Sequence, residues 1–289
     1  MRGTAATTFL FATLLLFNGL QTLSLALRPF SRRTFRRINR WAASTWWGMC
    51  VIGSQLMNRT RIIVTGDDLP EDENAVIVAN HQDMPDIVVL MTLARSRRRL
   101  GDLKWFVKDA LKHVPGIGWG MRFLECPFVT RDWTADRHTI ARTFARLREE
   151  RIPMWLVSFS EGTRVTAEKI AASHEYAREK GLPLLDHVLL PRTKGFVATL
   201  EGLKDHVQAV YDVTIGYVEG VPSLWQYITG QVRRVHVHVR RFPVSDLPRV
   251  GDELAAWLIR VYQEKDALLE RFYSEGAFPP EPFPADSGE

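Results

Sequence analysis

The stretch AVIVANHQDMPDIVVLMTLAR, residues 75–95, changes its hydrophobic period halfway along. AVIVA (75–79) is a short unbroken apolar run, the pattern of a strand buried on both faces. DIVVLMTLAR (86–95) is spaced as a helix. Between them Pro85 is favourable at a first helical turn and unfavourable inside one, and Asp83 can cap a helix. The stretch therefore reads as strand, turn and helix, with the strand ending at Asn80–His81 and the helix starting near Met84–Pro85. On one continuous helix, five positions would turn His81 and Asp86 about 140° apart. A bend between them allows the two side chains to meet.

The same alternation continues outward. MWLVSF (154–159), HVLLP (187–191), AVYDVTIGYV (209–218) and RRVHVHVRRFPV (233–244) read as strands, and FLECPFVTR (123–131) is strand-like despite Pro127. KWFVKDALKHVP (104–115) reads as partly helical. ADRHTIARTFARLREE (135–150), AEKIAASHEYAREKG (167–181) and DELAAWLIRVYQEKDALLERFY (252–273) read as helices. The order predicts an α/β domain with a mixed central sheet flanked by helices. There is no internal repeat, no GxGxxG and no P-loop.

The 289 residues carry a net charge of +5, which is local: six arginines lie within RPFSRRTFRRINR (28–40), and the rest of the chain is close to neutral. That pattern points away from nucleic acid. The arginines sit between two uncharged segments, TTFLFATLLLFNGLQTLSLAL (7–27) and WAASTWWGMCVIGSQLMN (41–58). The first is long enough to cross a hydrocarbon core of about 30 Å. The second carries Trp41, Trp46 and Trp47, and tryptophan favours the membrane–water interface. An arginine cluster beside a span favours an anionic cytoplasmic surface. A cleaved signal peptide is the alternative for 7–27; against it, the dense arginines follow the apolar run instead of preceding it. The expected organisation is a membrane anchor over 1–59 (a spanning or re-entrant helix, an Arg-rich turn and an interfacial helix), a catalytic domain over 60–274, and a disordered Pro-rich tail over 275–289. Cys50 and Cys126 are far apart with no metal spacing, which fits a reducing compartment.

Polar groups cluster after the apolar runs. A carboxylate beside an imidazole fixes its tautomer, and a histidine so held is a general base worth about 10²–10⁴ in rate. The bland alternative for NHQDMPD is a capped helix with a satisfied histidine nearby. SFSEGTR (158–164) offers Gly162 for a sharp turn, and Thr163 and Arg164 for phosphate oxygens. Glu161 there can orient the arginine or bind a hydroxyl, and by itself EGTR is only a polar turn. Arg131 follows FVT, and Pro191, Arg192, Lys194 and Gly195 follow HVLL. Charged strand ends gathered at one sheet edge fit the rule for α/β sites.

In this combination and order, the NHx₄D motif, the arginine after FVT, EGTR and the later proline resemble the glycerolipid acyltransferase family, typified by the lysophosphatidic acid (1-acylglycerol-3-phosphate) acyltransferases. EGTRVTAEKI and LLPRTKGF look closer to the lysocardiolipin and lysophosphatidylinositol branch. Ser160 departs from the FPEGTR form and LLPRTKG from a VPV-like run. The resemblance implies that His81 deprotonates an acceptor hydroxyl, with Asp86 orienting it. It implies that Arg131, Glu161, Gly162, Thr163 and Arg164 hold the glycerol phosphate, and that Lys108 supports the phosphate or the thioester. It further implies a lysophospholipid acceptor, an acyl-CoA or acyl carrier protein (acyl-ACP) thioester as co-substrate, and no metal or other cofactor. The expected location is a membrane: with the arginines cytoplasmic, an interfacial 41–58 keeps the catalytic domain facing the cytoplasm, whereas a spanning 41–58 would place it outside. Rivals are a CoA-independent transacylase, a non-catalytic lipid-binding membrane protein and a His/Asp metal hydrolase. His236 and His238 have HxH spacing, but without further ligands they read as an exposed polar strand face.

Overall fold

The computed structural model describes residues 2–130 and 132–279. Helix α1 (Arg2–Ser24) packs against α2 (Arg32–Asn58), which Ser31 caps by accepting from the Thr34 amide at 3.2 Å. The arginine cluster is thus not a turn; most of it forms the first turns of α2. Arg36 pairs with Glu125 and Glu150, and Arg40 with Asp102. Ala43, Trp47 and Val51 of the same helix are buried in the main core. Trp47 is therefore a core residue and not an interfacial one, while Trp41 stays exposed and Trp46 donates to the Leu10 carbonyl. The segment expected as anchor, 1–59, therefore includes a helix, α2, that packs into the α/β core.

The strands are β1 (Arg61–Gly66), β2 (Ala75–Ala79), β3 (Leu103–Trp105), β4 (Val107–Lys108), β5 (Phe128–Val129), β6 (Trp155–Ser158), β7 (Ala209–Tyr217) and β8 (Arg234–Pro243). Six of them form a mixed sheet in the order β1-β8-β7-β2-β6-β3, parallel throughout except for the β7–β8 pair. β4 and β5 form a separate short ladder with Lys108 opposite Val129. Alternate residues of β2 feed two cores: Ala75, Ile77 and Ala79 pack with α2 and α3 (Pro85–Ser96), and Val76 and Val78 pack on the other face. That second face is covered by α5 (Trp133–Glu149), α7 (Thr193–Gly202) and α9 (Gly251–Glu275).

Four expectations change. Residues 187–191 form no strand; an extended segment leads into α7. Residues 109–113 form a 3-10 turn, followed by α4 (Ile117–Phe123), where the sequence had read a looser, partly helical stretch. α4 can start there because Gly118 lies against the Leu111 carbonyl, where a Cβ would come within 1.8 Å of the oxygen. His236 and His238 are buried, since Phe272 of α9 and the following Phe278 cover that face of β8. Phe278 is itself buried, so the chain beyond 275 stays packed at least that far; residues 280–289 lie outside the described residues. Where the chain leaves α3, Arg97 pairs with Asp68, Arg98 with Glu71 and Arg99 with Asp102.

Candidate active site

The parallel strands β2, β6 and β7 all deliver their carboxyl ends to one sheet edge, and the chemistry-bearing turns sit there. Helix α3 begins at Pro85. The bend before it brings His81 Nδ1 to 3.0 Å from Asp86 Oδ2. The same oxygen accepts from the backbone amides of Gln82 (2.7 Å) and Asp83 (3.1 Å). Asp86 Oδ1 accepts from the Tyr217 hydroxyl at 2.6 Å, at the end of β7. A fully buried carboxylate that accepts four hydrogen bonds has no role as a donor. His81 Nδ1 therefore carries the proton, and Nε2, which has no hydrogen-bond partner among the described residues, presents its lone pair.

The ring is held from its flank as well. Phe159, just after β6, stacks on His81 with centroids 4.0 Å apart and planes 16° from parallel. The His81 amide donates to Glu161 Oε1 at 2.8 Å, and its carbonyl accepts from the Val165 amide. Glu161 Oε2 accepts from the Leu189 amide at 3.1 Å. Glu161 is 2% exposed, and burial pushes its carboxyl up to about 8. With both oxygens on backbone amides, Glu161 ties three loops together. Both of its oxygens are already engaged by backbone amides of the loops around His81.

Gly162 has φ +72° and lies under the Arg192 side chain, so a Cβ there would come within 2.8 Å of Arg192 Nε. The Arg192 amide donates to the Ser160 carbonyl at 2.7 Å, which docks the LPRTKG segment on the EGTR turn. Arg164 is half exposed and donates to Asp83 Oδ1 at 2.6 Å, linking EGTR to the NHQDMPD turn. Thr163 Oγ1 accepts from Lys169 Nζ at 2.7 Å. Lys169 belongs to α6 (Ala167–Lys180), whose N-cap is Thr166. Lys108 is exposed at the end of β4, in the ladder partner of the strand that precedes Arg131; Arg131 itself lies outside the described residues.

Three groups at this edge escaped the sequence reading. Tyr217 was read only as part of a buried strand, and its distance from Asp86 along the chain left no local signal. Lys169 was absorbed into a helical pattern, although a lysine three residues after a threonine cap beside EGTR was a usable hint. The third is α9. Asp266 accepts from the amides of His187 (2.7 Å) and Val188 (3.2 Å), bracing the segment that holds Glu161. Tyr273 accepts from Gln82 Nε2 at 2.8 Å. Lys265 is fully buried, paired with Asp212 at 2.6 Å, and its charge favours the ionised form of Glu161. Beside the His81 turn opens a cleft of about 220 Å³ lined by Gln82, Val165, Asp186, His187, Val221 and Tyr273. Its lining has no lysine or arginine, so the basic groups on Arg164, Lys169 and Arg192 form a separate side of the site.

The sequence profile of the family described as Acyltransferase matches residues 61–218, and that of the Acyltransferase C-terminus matches 226–286. The 1-acyl-sn-glycerol-3-phosphate acyltransferase gamma of Homo sapiens is 38% identical over 274 residues, covering 93% of this chain and 73% of that protein. The probable 1-acyl-sn-glycerol-3-phosphate acyltransferase 5 of Arabidopsis thaliana is 36% identical over 259 residues, covering 89% and 69%. The crystal structure of the 1-acyl-sn-glycerophosphate (LPA) acyltransferase PlsC from Thermotoga maritima superposes with a TM-score of 0.51 at 16% identity, covering 89% of this chain and 97% of that one, a likeness of fold. With a matching profile over more than half its length and relatives similar over most of theirs, this chain belongs to the glycerolipid acyltransferase family.

Proposed function

We propose that this acyltransferase is membrane-bound and moves a fatty acyl group from a thioester, acyl-CoA or acyl-ACP, to the free hydroxyl of 1-acylglycerol-3-phosphate, giving phosphatidic acid. The observation that carries the reading is the His81–Asp86 pair at 3.0 Å, with Nε2 open and the basic EGTR turn hydrogen-bonded to the same loop. His81 Nε2 takes the acceptor's hydroxyl proton as the oxygen attacks the thioester carbonyl. Asp86 stabilises the imidazolium. Collapse of the tetrahedral intermediate breaks the carbon–sulfur bond, and the imidazolium returns its proton to the departing thiolate. An ester and a free thiol result, and the reaction is downhill because a thioester has weaker resonance than an ester.

Arg164, Lys169 and Arg192, with Lys108 from the neighbouring ladder and with Arg131, hold the acceptor's phosphate and so orient its hydroxyl toward His81. The segment Thr7–Leu27, most of α1 with the 3-10 turn after it, has the length and apolarity of a membrane span, which suits an enzyme whose acceptor and product both reside in lipid. The catalytic domain then faces the cytoplasm, where acyl thioesters are found.

The test is product analysis with purified protein, a panel of lysophospholipids and both thioester donors. Phosphatidic acid formed with release of free thiol supports the reading. Turnover without any thioester supports a transacylase, and preference for an inositol or cardiolipin head group moves the acceptor. His81→Ala should fold and bind membrane while losing about 10²-fold or more in turnover. Near-normal turnover in that variant sinks the mechanism.

A further inference from the structure

A second apolar surface adjoins α1 and belongs to the catalytic domain. Leu111, Val114, Ile117 and Trp119, on the 3-10 turn and α4, are between 39% and 51% exposed within one short segment. Such a cluster of large apolar side chains is unusual on a surface that meets only water. Its position removes the ambiguity about what it meets. Gly116 packs on Leu14 of α1, and Ile117 lines the same small cavity as Leu14, Asn18 and Gln21. These α1 residues form its protein-facing side: Asn18, Gln21 and Ser24 are buried, whereas Phe9, Leu16 and Leu23 on the opposite side are exposed. The segment carrying the four apolar residues is thus docked, through Gly116 and Ile117, on the protein-facing side of the helix whose other side is apolar and exposed. Charge follows the same pattern. Arg33 and Arg37, near the start of α2, are exposed and have no carboxylate partner among the described residues. Trp119 supplies the residue type that favours the interface.

The sheet topology gives this surface its meaning. β3 runs parallel to β6, so the chain leaving Trp105 travels past the edge that carries His81 and EGTR. Trp105 lies 6.4 Å from Phe159, which stacks on His81. Lys108 is followed directly by the apolar segment.

We propose that residues 109–123 form a membrane wedge, in which Leu111, Val114, Ile117 and Trp119 enter the headgroup–acyl boundary of an anionic phospholipid bilayer beside α1. The wedge sets the His81 edge against the lipid surface, so that a lysophospholipid passes into the site without leaving the bilayer. The inference rests on the membrane-bound reading above and adds a contact made by the catalytic domain itself.

The test uses the full-length protein in vesicles of phosphatidylethanolamine and phosphatidylglycerol. An environment-sensitive fluorophore is attached at Ile117→Cys and, as a control, at Glu179→Cys on α6, with the unaltered chain as labelling blank. The probe at 117 should shift to the blue and be quenched by nitroxide-bearing lipid, while the probe at 179 does neither. A probe at 117 that behaves like the one at 179 overturns the wedge. So does a blue shift without lipid quenching, which would mean that a second protein surface covers the segment. The Leu111→Ser, Ile117→Ser double variant should lose about tenfold or more on a vesicle-embedded acceptor and stay within about twofold on a dispersed short-chain one, because only the former needs the apolar contact. Equal loss on both also overturns it. If the unaltered chain turns over neither acceptor, the activity reading fails, and the quenching result still decides the wedge.

Discussion

Tyr217→Phe removes one oxygen from the site, and its effects can be worked out from the four bonds to Asp86. The Tyr217 hydroxyl is the donor to Oδ1, at 2.6 Å, in a place where Asp86 has no access to water. A hydrogen bond to a charged group is worth about 1.5–3 kcal/mol, and the deserted oxygen finds no solvent to replace it. Stability should therefore fall by about 2 kcal/mol, lowering the Tm of the detergent-solubilised protein by several degrees. Turnover should fall much less, by less than about tenfold, because the remaining three donors still fix Oδ2 beside His81. KM for either substrate should not change, since Tyr217 is fully buried. Asp86→Asn provides the contrast. The amide oxygen can take the place of Oδ2 and its NH₂ can donate to the Tyr217 oxygen, so the histidine tautomer survives and only the charge is lost. Two unit charges 3.0 Å apart interact by about 5 kcal/mol at an effective dielectric near 20. Loss of part of that should lower kcat by about 10²–10³. The assay is steady-state kinetics and thermal unfolding on both variants. An unchanged Tm for Tyr217→Phe, or a loss of kcat as deep as that of Asp86→Asn, would refute this account of the site.

Other outcomes follow from the same geometry. Arg164→Ala should mainly raise KM for the acceptor; an effect confined to the acyl donor would reverse the assignment of the basic side. Glu161→Gln keeps one acceptor and turns the other end into a donor, so it should cost about 1–3 kcal/mol. In the unaltered chain the Glu161 carboxyl is raised to about 8, so the native state holds a proton there that the unfolded chain releases above about 4.5. That contribution to stability is present below about pH 4.5 and is lost as pH rises toward 8. The gap in Tm between Glu161→Gln and the parent should therefore narrow between pH 5 and pH 8, and a constant gap would show that Glu161 is ionised throughout. Gly118→Ala should displace the 3-10 turn from α4, because a Cβ would fall 1.8 Å from the Leu111 carbonyl oxygen. A destabilisation above about 3 kcal/mol is expected, read by thermal unfolding.

The sequence was most readable where the determinants were local. Pro85 announced the bend, and with it the meeting of His81 and Asp86. Ala75–Ala79 announced a buried strand, and Gly181 the end of a helix. Reading failed where a distant segment decided the environment. His236 and His238 alternate with valines as an exposed face would, and only α9 with Phe278 covers them. HVLLP is as apolar as a strand, yet its amides bond to the side chains of Glu161 and Asp266 instead of a ladder. Trp47 was drawn to the interface by its neighbours but is claimed by the sheet. Glu161 looked like a ligand because it shares a short polar turn with Thr163 and Arg164. Its burial came from contacts with two loops that no local pattern predicts.

The brace running from Asp266 through Leu189 and Glu161 to His81 bears on how the protein is made. A ribosome releases α1 and the His81 turn well before α9. Until Asp266 emerges, the segment that clasps Glu161 lacks its backing, and the imidazole is not yet held at the sheet edge. The nascent chain can therefore engage lipid before it can acylate it. A chain truncated before Asp266 should accordingly bind vesicles and fail to acylate.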